Sequence, residues 1–164
     1  MYERILVALD GSELAERILP HVEALGRALG STLIVLRATT APATIVAELN
    51  SGAMLPAAGI IDPEPLIDAE RKEVDDYLTT IAKRLRGSGL TVQTERPDGP
   101  AAAAILQSAD ELGVDLIAMT THGRTGLGRL VFGSVAGAVL HTSNRPVLLV
   151  RVNEHAARSK ESES

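Results

Sequence analysis

The stretch Thr120-Thr121-His122-Gly123-Arg124-Thr125-Gly126-Leu127-Gly128-Arg129-Leu130-Val131-Phe132-Gly133-Ser134 gathers residue types that bind anions. Glycines let backbone amides come close to a ligand, and the free amides of a helix start carry partial positive charge. Arg124 and Arg129 add charge and Thr125 a hydroxyl, both suited to phosphate. No Gly-x-x-x-x-Gly-Lys-(Ser/Thr) occurs, and Lys72, Lys83 and Lys160 lie elsewhere, so this is not a Walker-type nucleotide hydrolase. Nor does a Gly-x-Gly-x-x-Gly follow the first apolar run, which argues against a dinucleotide-dependent dehydrogenase.

His122 has no carboxylate or serine partner in sequence and reads as a hydrogen-bonding member of the stretch, not as a general base. His21, His141 and His155 do not have metal-ligand spacing. Neither a catalytic residue nor a metal ligand is therefore assigned. Asp10, in Asp10-Gly11-Ser12, admits two readings: a ligand contact, or a cap on the first helix with Glu13 completing a capping box. Ser134 can cap the last helix and touch a phosphate from the same place.

These residues need elements to hold them. Apolar β-branched runs alternate with segments of helical period, which is the sign of βαβ units and a parallel sheet. Ile5 to Leu9, Thr32 to Leu36, Leu90 to Thr94, Val114 to Met119 and Pro146 to Val150 read as strands. The first, fourth and fifth are apolar on both faces and are expected at the centre, while the fifth, which leads directly into the tail, also reads as the end of the sheet. Ser12 to Leu29 reads as a helix burying Leu14, Ile18, Val22, Leu25 and Leu29, kinked by Pro20 after Leu19 and ended by Gly30. Further helices are expected over Glu70 to Leu85, from Pro100 to Leu112, and from Ser134 to Thr142. The result is an α/β fold: a single Rossmann-like, doubly wound five-stranded parallel sheet with helices on both faces.

Two segments break the alternation. Thr39 to Asp68 is rich in Ala, Pro and Gly, too long for an ordinary connection, and reads as a loop, lid or partner-contacting flap. Residues 152–164 are polar and charged, a disordered tail on a domain of residues 1–151.

Composition sets the outer bounds. A chain of 164 residues with 45% hydrophobic and 23% charged residues is one globular domain. The net charge of −5 supplies no field to draw it onto nucleic acid or acidic lipid. Three aromatic residues, Tyr2, Tyr77 and Phe132, are too few for base stacking, so a bound base would be gripped by aliphatic groups and backbone. No cysteine, signal peptide or membrane-length apolar run is present, so a cytoplasmic location is expected.

Over residues 1–151 the chain resembles the universal stress protein family. Gly123, the nine residues Arg124 to Phe132, and Gly133-Ser134 match the nucleotide-binding pattern of Gly, two residues, Gly, nine residues, Gly and Ser or Thr, except that Thr120 replaces its first glycine. Ile5 to Ser12 is similar to the family's first strand and turn, and Asn144 to Val150 to its last strand. The resemblance implies ATP as ligand, with Mg²⁺ or Mn²⁺ accompanying the phosphates. Asp10 would contact the ribose or adenine side, backbone near Arg37 and Ala38 would border the base, and Gly123, Gly133 and Ser134 would hold the phosphates, with Thr120, His122 and Arg124 beside them. It implies a regulatory binding module, not an efficient enzyme, and a homodimer seamed along Pro146 to Val150, or else through residues 39–68. The alternatives are a dimeric interaction protein that binds no ATP, to which the missing glycine points, and a slow ATP hydrolase.

Overall fold

A computed structural model describes residues 1–50, 62–122 and 133–152. Five strands form one parallel sheet: β1 (Arg4–Ala8), β2 (Thr32–Leu36), β3 (Thr91–Glu95), β4 (Leu116–His122) and β5 (Val147–Val152), in the spatial order β3-β2-β1-β4-β5. The order reverses at β1, between β2 and β4, and ligands of open α/β sheets lie beyond the carboxyl ends of strands at such a switch. The expected fold class is the observed one.

Helices α1 (Glu13–Glu16), α2 (Leu19–Leu29) and α4 (Glu64–Gly87) cover one face. There Ile5, Val7, Leu33 and Val35 meet Ala15, Leu19, Val22, Val74, Leu78, Ile81 and Leu85. Helices α5 (Ala101–Glu111) and α6 (Ser134–Thr142) cover the other, where Leu6, Ala8, Ile34 and Leu36 meet Ile105, Ala109, Ala136 and Val139. Alternation along each strand sends successive residues into the two clusters, and both are closed to water, so β1 and β2 are apolar on both faces.

Several expectations need correction. β5 ends the sheet, as its place before the tail suggests, and is not central as its apolar faces suggest, with Val147 to Val150 half-buried; β2 takes the central place beside β1. The single kinked helix is two. α1 stops at Glu16 and α2 starts at Leu19, so Pro20 sits in the first turn of α2, where its missing N–H breaks no helical bond. That break resets the helical phase: Ala15, Ile18, Leu19, Val22 and Gly26 are buried, Leu14 and Leu25 half-buried, and Leu29 is exposed. Within residues 39–68, α3 (Pro42–Asn50) is helical and α4 begins at Glu64, so both ends of the expected loop are regular; 51–61 lie outside the described residues. β5 runs on to the buried Val152, one residue into the expected tail, of which 153–164 are not described.

Candidate functional site

A cavity of about 220 Å³ opens at the carboxyl ends of β1 and β4. Its walls are Ala8, Leu9 and Asp10 after β1, Met119, Thr120 and Thr121 of β4, Ala101 and Ile105 of α5, and Gly133 to Ala136 at the start of α6, with Ala15 of α1. Parallel right-handed crossovers bring these distant segments together. Of the expected site residues, Asp10, Thr120, Gly133 and Ser134 converge here. His122 is the last residue of β4, and Gly123 and Arg124 lie outside the described residues, as do Thr125 and Arg129.

Ala38 lines a second cavity, about 320 Å³, with Thr39, Thr40, Ala41, Thr44, Glu70, Gly99 and Pro100. Pro100 belongs to one cavity and Ala101 to the other, so the start of α5 divides them.

The local geometry at Asp10 selects against the capping reading. Ser12 is the N-cap of α1, its hydroxyl accepting from Ala15 N–H, while Asp10 Oδ1 accepts the Ser12 N–H at 2.9 Å. Asp10 is exposed and shapes the turn. The capping role also moves at α6. Gly133, not Ser134, is the N-cap, and it makes no side-chain cap bond, so the start of α6 borders the cavity without a side-chain cap among the described residues.

Gly133 has φ −56° and ψ 157°, a conformation open to any residue, and a Cβ built there meets no atom of the described residues within 4 Å. Neither turn geometry nor packing among these residues demands glycine; the space before the helix start is what a side chain would fill.

Thr120 and Thr121 face opposite ways. Leu116 and Ala118 pack in the α1/α2/α4 cluster and Ile117 and Met119 in the α5/α6 cluster, so alternation puts Thr120 with the former and Thr121 with the latter. Their register partners agree, since Val150 opposite Thr120 packs on the first cluster and Leu149 opposite Met119 on the second. The side chain that replaces the motif's glycine thus leans to the α1 side. Thr121, which the sequence reading passed over, lines the α6 side; it is buried, and its Oγ1 has no hydrogen-bond partner among the described residues. A hydroxyl in that state costs roughly 1–3 kcal/mol. Strand alternation was the signal that could have singled it out.

The second cavity is different. Thr40 N–H and hydroxyl both donate to Glu70 Oε1 at 3.0 Å, and Thr39 Oγ1 donates to Asp98 Oδ1 at 2.5 Å. Arg71 donates to Asp98 Oδ2 at 2.8 Å, and Arg96 bridges Asp98 and Asp75. The Thr39 hydrogen bond, then Arg71 and Arg96, hold the Asp98 carboxyl below the usual carboxylate range. Arg71 is raised in turn by its hydrogen bond and charge pairing with Asp98. Among the described residues no group of three His, Asp or Glu is arranged to hold a metal ion, and no helix is long and apolar enough to cross a membrane.

The family model of the universal stress protein family matches residues 1–151. Universal stress protein MJ0577 of Methanocaldococcus jannaschii is 31% identical over 156 residues, covering 92% of this chain and 96% of that protein. The solved structure of MJ0577 has a TM-score of 0.74 at 30% identity and covers 94% of this chain and 99% of its own. Universal stress protein YxiE of Bacillus subtilis is 30% identical over 156 residues, covering 92% of this chain and 100% of YxiE. A universal stress protein of Archaeoglobus fulgidus, solved in complex with dAMP, has a TM-score of 0.59 at 24% identity, covering 90% of this chain and 97% of that one, a likeness of fold.

Proposed function

The chain belongs to the universal stress protein family, and from that premise we propose that it is an ATP-binding regulatory module whose triphosphate lies before α6 and whose base lies toward Ala38. The observation that carries this reading is Gly133: a glycine that backbone and described neighbours do not require, at the uncapped start of a helix that opens on a cavity. The unmatched Thr121 hydroxyl on the same side supplies a further group for a ligand to satisfy. An adenine nucleotide bound to the A. fulgidus protein of the same fold supports the ligand class. Two or three charge-assisted hydrogen bonds of about 1.5–3 kcal/mol each, with base burial, reach the roughly 8 kcal/mol of micromolar binding. Gly123 and Arg124 would complete the phosphate site, His122 would stay a hydrogen-bonding residue, and Mg²⁺ or Mn²⁺ would travel with the phosphates.

Asp10 supplies a carboxylate on the sugar side, while the alternation of β4 keeps the Thr120 side chain off the α6 wall, which favours binding over the reading as a module without ATP. The described cavity positions phosphates without a group placed to activate a nucleophile, so the role is regulatory and turnover stays far below the roughly 10 s⁻¹ of a median enzyme. Isothermal titration of nucleotide-stripped protein with ATP and Mg²⁺ tests the proposal. A micromolar constant is expected; no heat and no thermal stabilisation at millimolar ATP would refute it.

The protein is further expected to be a homodimer through β5. This edge strand shows Val147 to Val150 half-buried, and an unpaired apolar edge invites a second copy across a two-fold axis. Light scattering should give a dimer for the native chain and a monomer for Leu149→Asp; a dimer in both would remove β5 as the seam.

A further inference from the structure

We infer that Arg37 is a positioning residue for the nucleotide site: its guanidinium holds the Asp10–Ser12 turn in the shape that brings Asp10 to the cavity, while its own side chain lines neither cavity. The nucleotide consequence rests on the function proposed above; the mechanical role does not.

Among the described residues the turn has little else to hold it. Leu9 N–H donates to Leu36 O at 2.9 Å, and beyond that point the chain leaves the sheet. Asp10 to Ser12 are tied by short-range bonds, Ser12 N–H to Asp10 Oδ1 at 2.9 Å and Ala15 N–H to Ser12 Oγ at 3.1 Å, and α1 that follows is only four residues long. Gly11 occupies the left-handed region at φ +88°, and a Cβ there would stand 2.8 Å from Arg37 Cζ and Nη1 and 3.2 Å from Nη2. The guanidinium therefore lies directly against the Gly11 main chain. On its other sides it sits over the Tyr77 ring, 5.3 Å from the centroid, and pairs with Glu73 at 3.1 Å.

Glu73 and Tyr77 are four residues apart on α4, so they share a helix face and grip the same guanidinium. Arg37 backbone N–H donates to Glu95 O at 3.2 Å, which anchors the main chain at the exit of β2. A planar, weakly hydrated cation suits this place: it stacks on a ring and covers a backbone turn at once, whereas an ammonium offers no plane to either. Arg37 thus joins three elements, the exit of β2, the middle of α4 and the turn that carries Asp10. Glycine at position 11 is required by its φ, and the guanidinium occupies the space that a side chain there would enter.

The test uses the full chain with Arg37→Met and Arg37→Lys. Hydrogen exchange of the Ser12 and Ala15 amides should quicken about fivefold or more in both variants, while the β1 amides of Leu6 and Val7 keep their protection. ATP affinity should weaken about fivefold, and affinity for inorganic tripolyphosphate, which has no sugar or base to reach Asp10, should stay within about twofold. Unchanged Ser12 and Ala15 exchange would overturn the inference. So would equal weakening of both ligands with loss of β1 protection, the mark of general destabilisation, or full rescue by Lys, which would make charge alone responsible. If the native chain binds neither ligand, the function proposal falls, and the exchange data still decide the role of Arg37.

Discussion

Two cavities lie side by side at the carboxyl end of one sheet, and they differ in where their polar groups point. Around the cavity beside β2 and β3, Thr39, Thr40, Glu70 and Asp98 are bonded to one another and to Arg71. Around the cavity between β1, β4 and α6, the Thr121 hydroxyl is unmatched and no side chain caps the helix among the described residues. Both have the topology of a ligand site, and among the described residues the second is the one lined by a buried hydroxyl without a partner. Polar residues at the right place are thus a weaker sign of a binding site than polar residues without partners.

The largest expected effect follows from Gly133. Replacement by Val should weaken ATP binding at least tenfold, or about 1.4 kcal/mol, because the side chain would fill the space before α6. With φ at −56° the change gains chain entropy but gives up a residue favoured at the N-cap, so the stability of the free protein should move by less than about 1 kcal/mol. Titration and thermal denaturation of one preparation measure both; a drop in stability equal to the loss in binding would erase the distinction between the cavities.

Next comes Thr121→Val, which keeps shape and removes the unmatched hydroxyl. Affinity for ATP should fall about threefold to tenfold while the free protein gains up to about 1 kcal/mol. Such opposite signs are what an unfilled site requires. If affinity is unchanged, Thr121 faces no ligand.

Asp98→Asn probes the self-satisfied side. Its carboxyl is depressed in the folded protein, by the Thr39 hydroxyl first and then by Arg71 and Arg96. A depressed carboxyl stabilises the fold above its unfolded value of about 3.9, and that stabilisation is lost as pH falls through the lower folded value. The carboxylate is about one-third exposed, so solvent screens it. Urea denaturation should show the variant about 1 kcal/mol less stable at pH 7, with the gap closing toward acid pH, and ATP affinity within twofold of native. A gap that persists at low pH would take the carboxylate out of the explanation.

Tyr77→Phe should change least. Burial pushes the phenol well above its usual range, and the nearby Glu16 carboxylate adds to the shift. The ring that carries Arg37 remains, so stability should move by less than about 0.5 kcal/mol. A larger loss would mean that the hydroxyl, and not the ring, supports the Arg37 contact.

Much of this molecule was legible from its residues, because local patterns report local causes. Period-two and helical runs of apolar residues located all five strands to within a few residues, Gly30 and Pro100 marked helix ends at their actual places, and Gly133-Ser134 marked the opening of α6. Those signals also sufficed for the fold class; the family was implied by the resemblance of Gly123, Gly133-Ser134, Ile5 to Ser12 and Asn144 to Val150 to its pattern.

What the chain alone left open is whatever depends on a neighbour brought in by tertiary structure. The β5 run reads as central by its apolar faces and as an edge by its place before the tail, and the strand order decides for the edge. Whether Asp10 or Ser12 caps α1, and whether Ala38 shares a cavity with Gly133, turn on turn geometry and on the position of α5. Arg37 carries no motif, because its role is made by Gly11, Glu73 and Tyr77, which lie up to 40 positions away and meet it only when β2 and α4 are packed. Sequence determined the elements, since hydrophobic period and glycine conformation are properties of adjacent residues. Tertiary structure decided the site, since the satisfaction of a polar group depends on atoms that no local pattern contains.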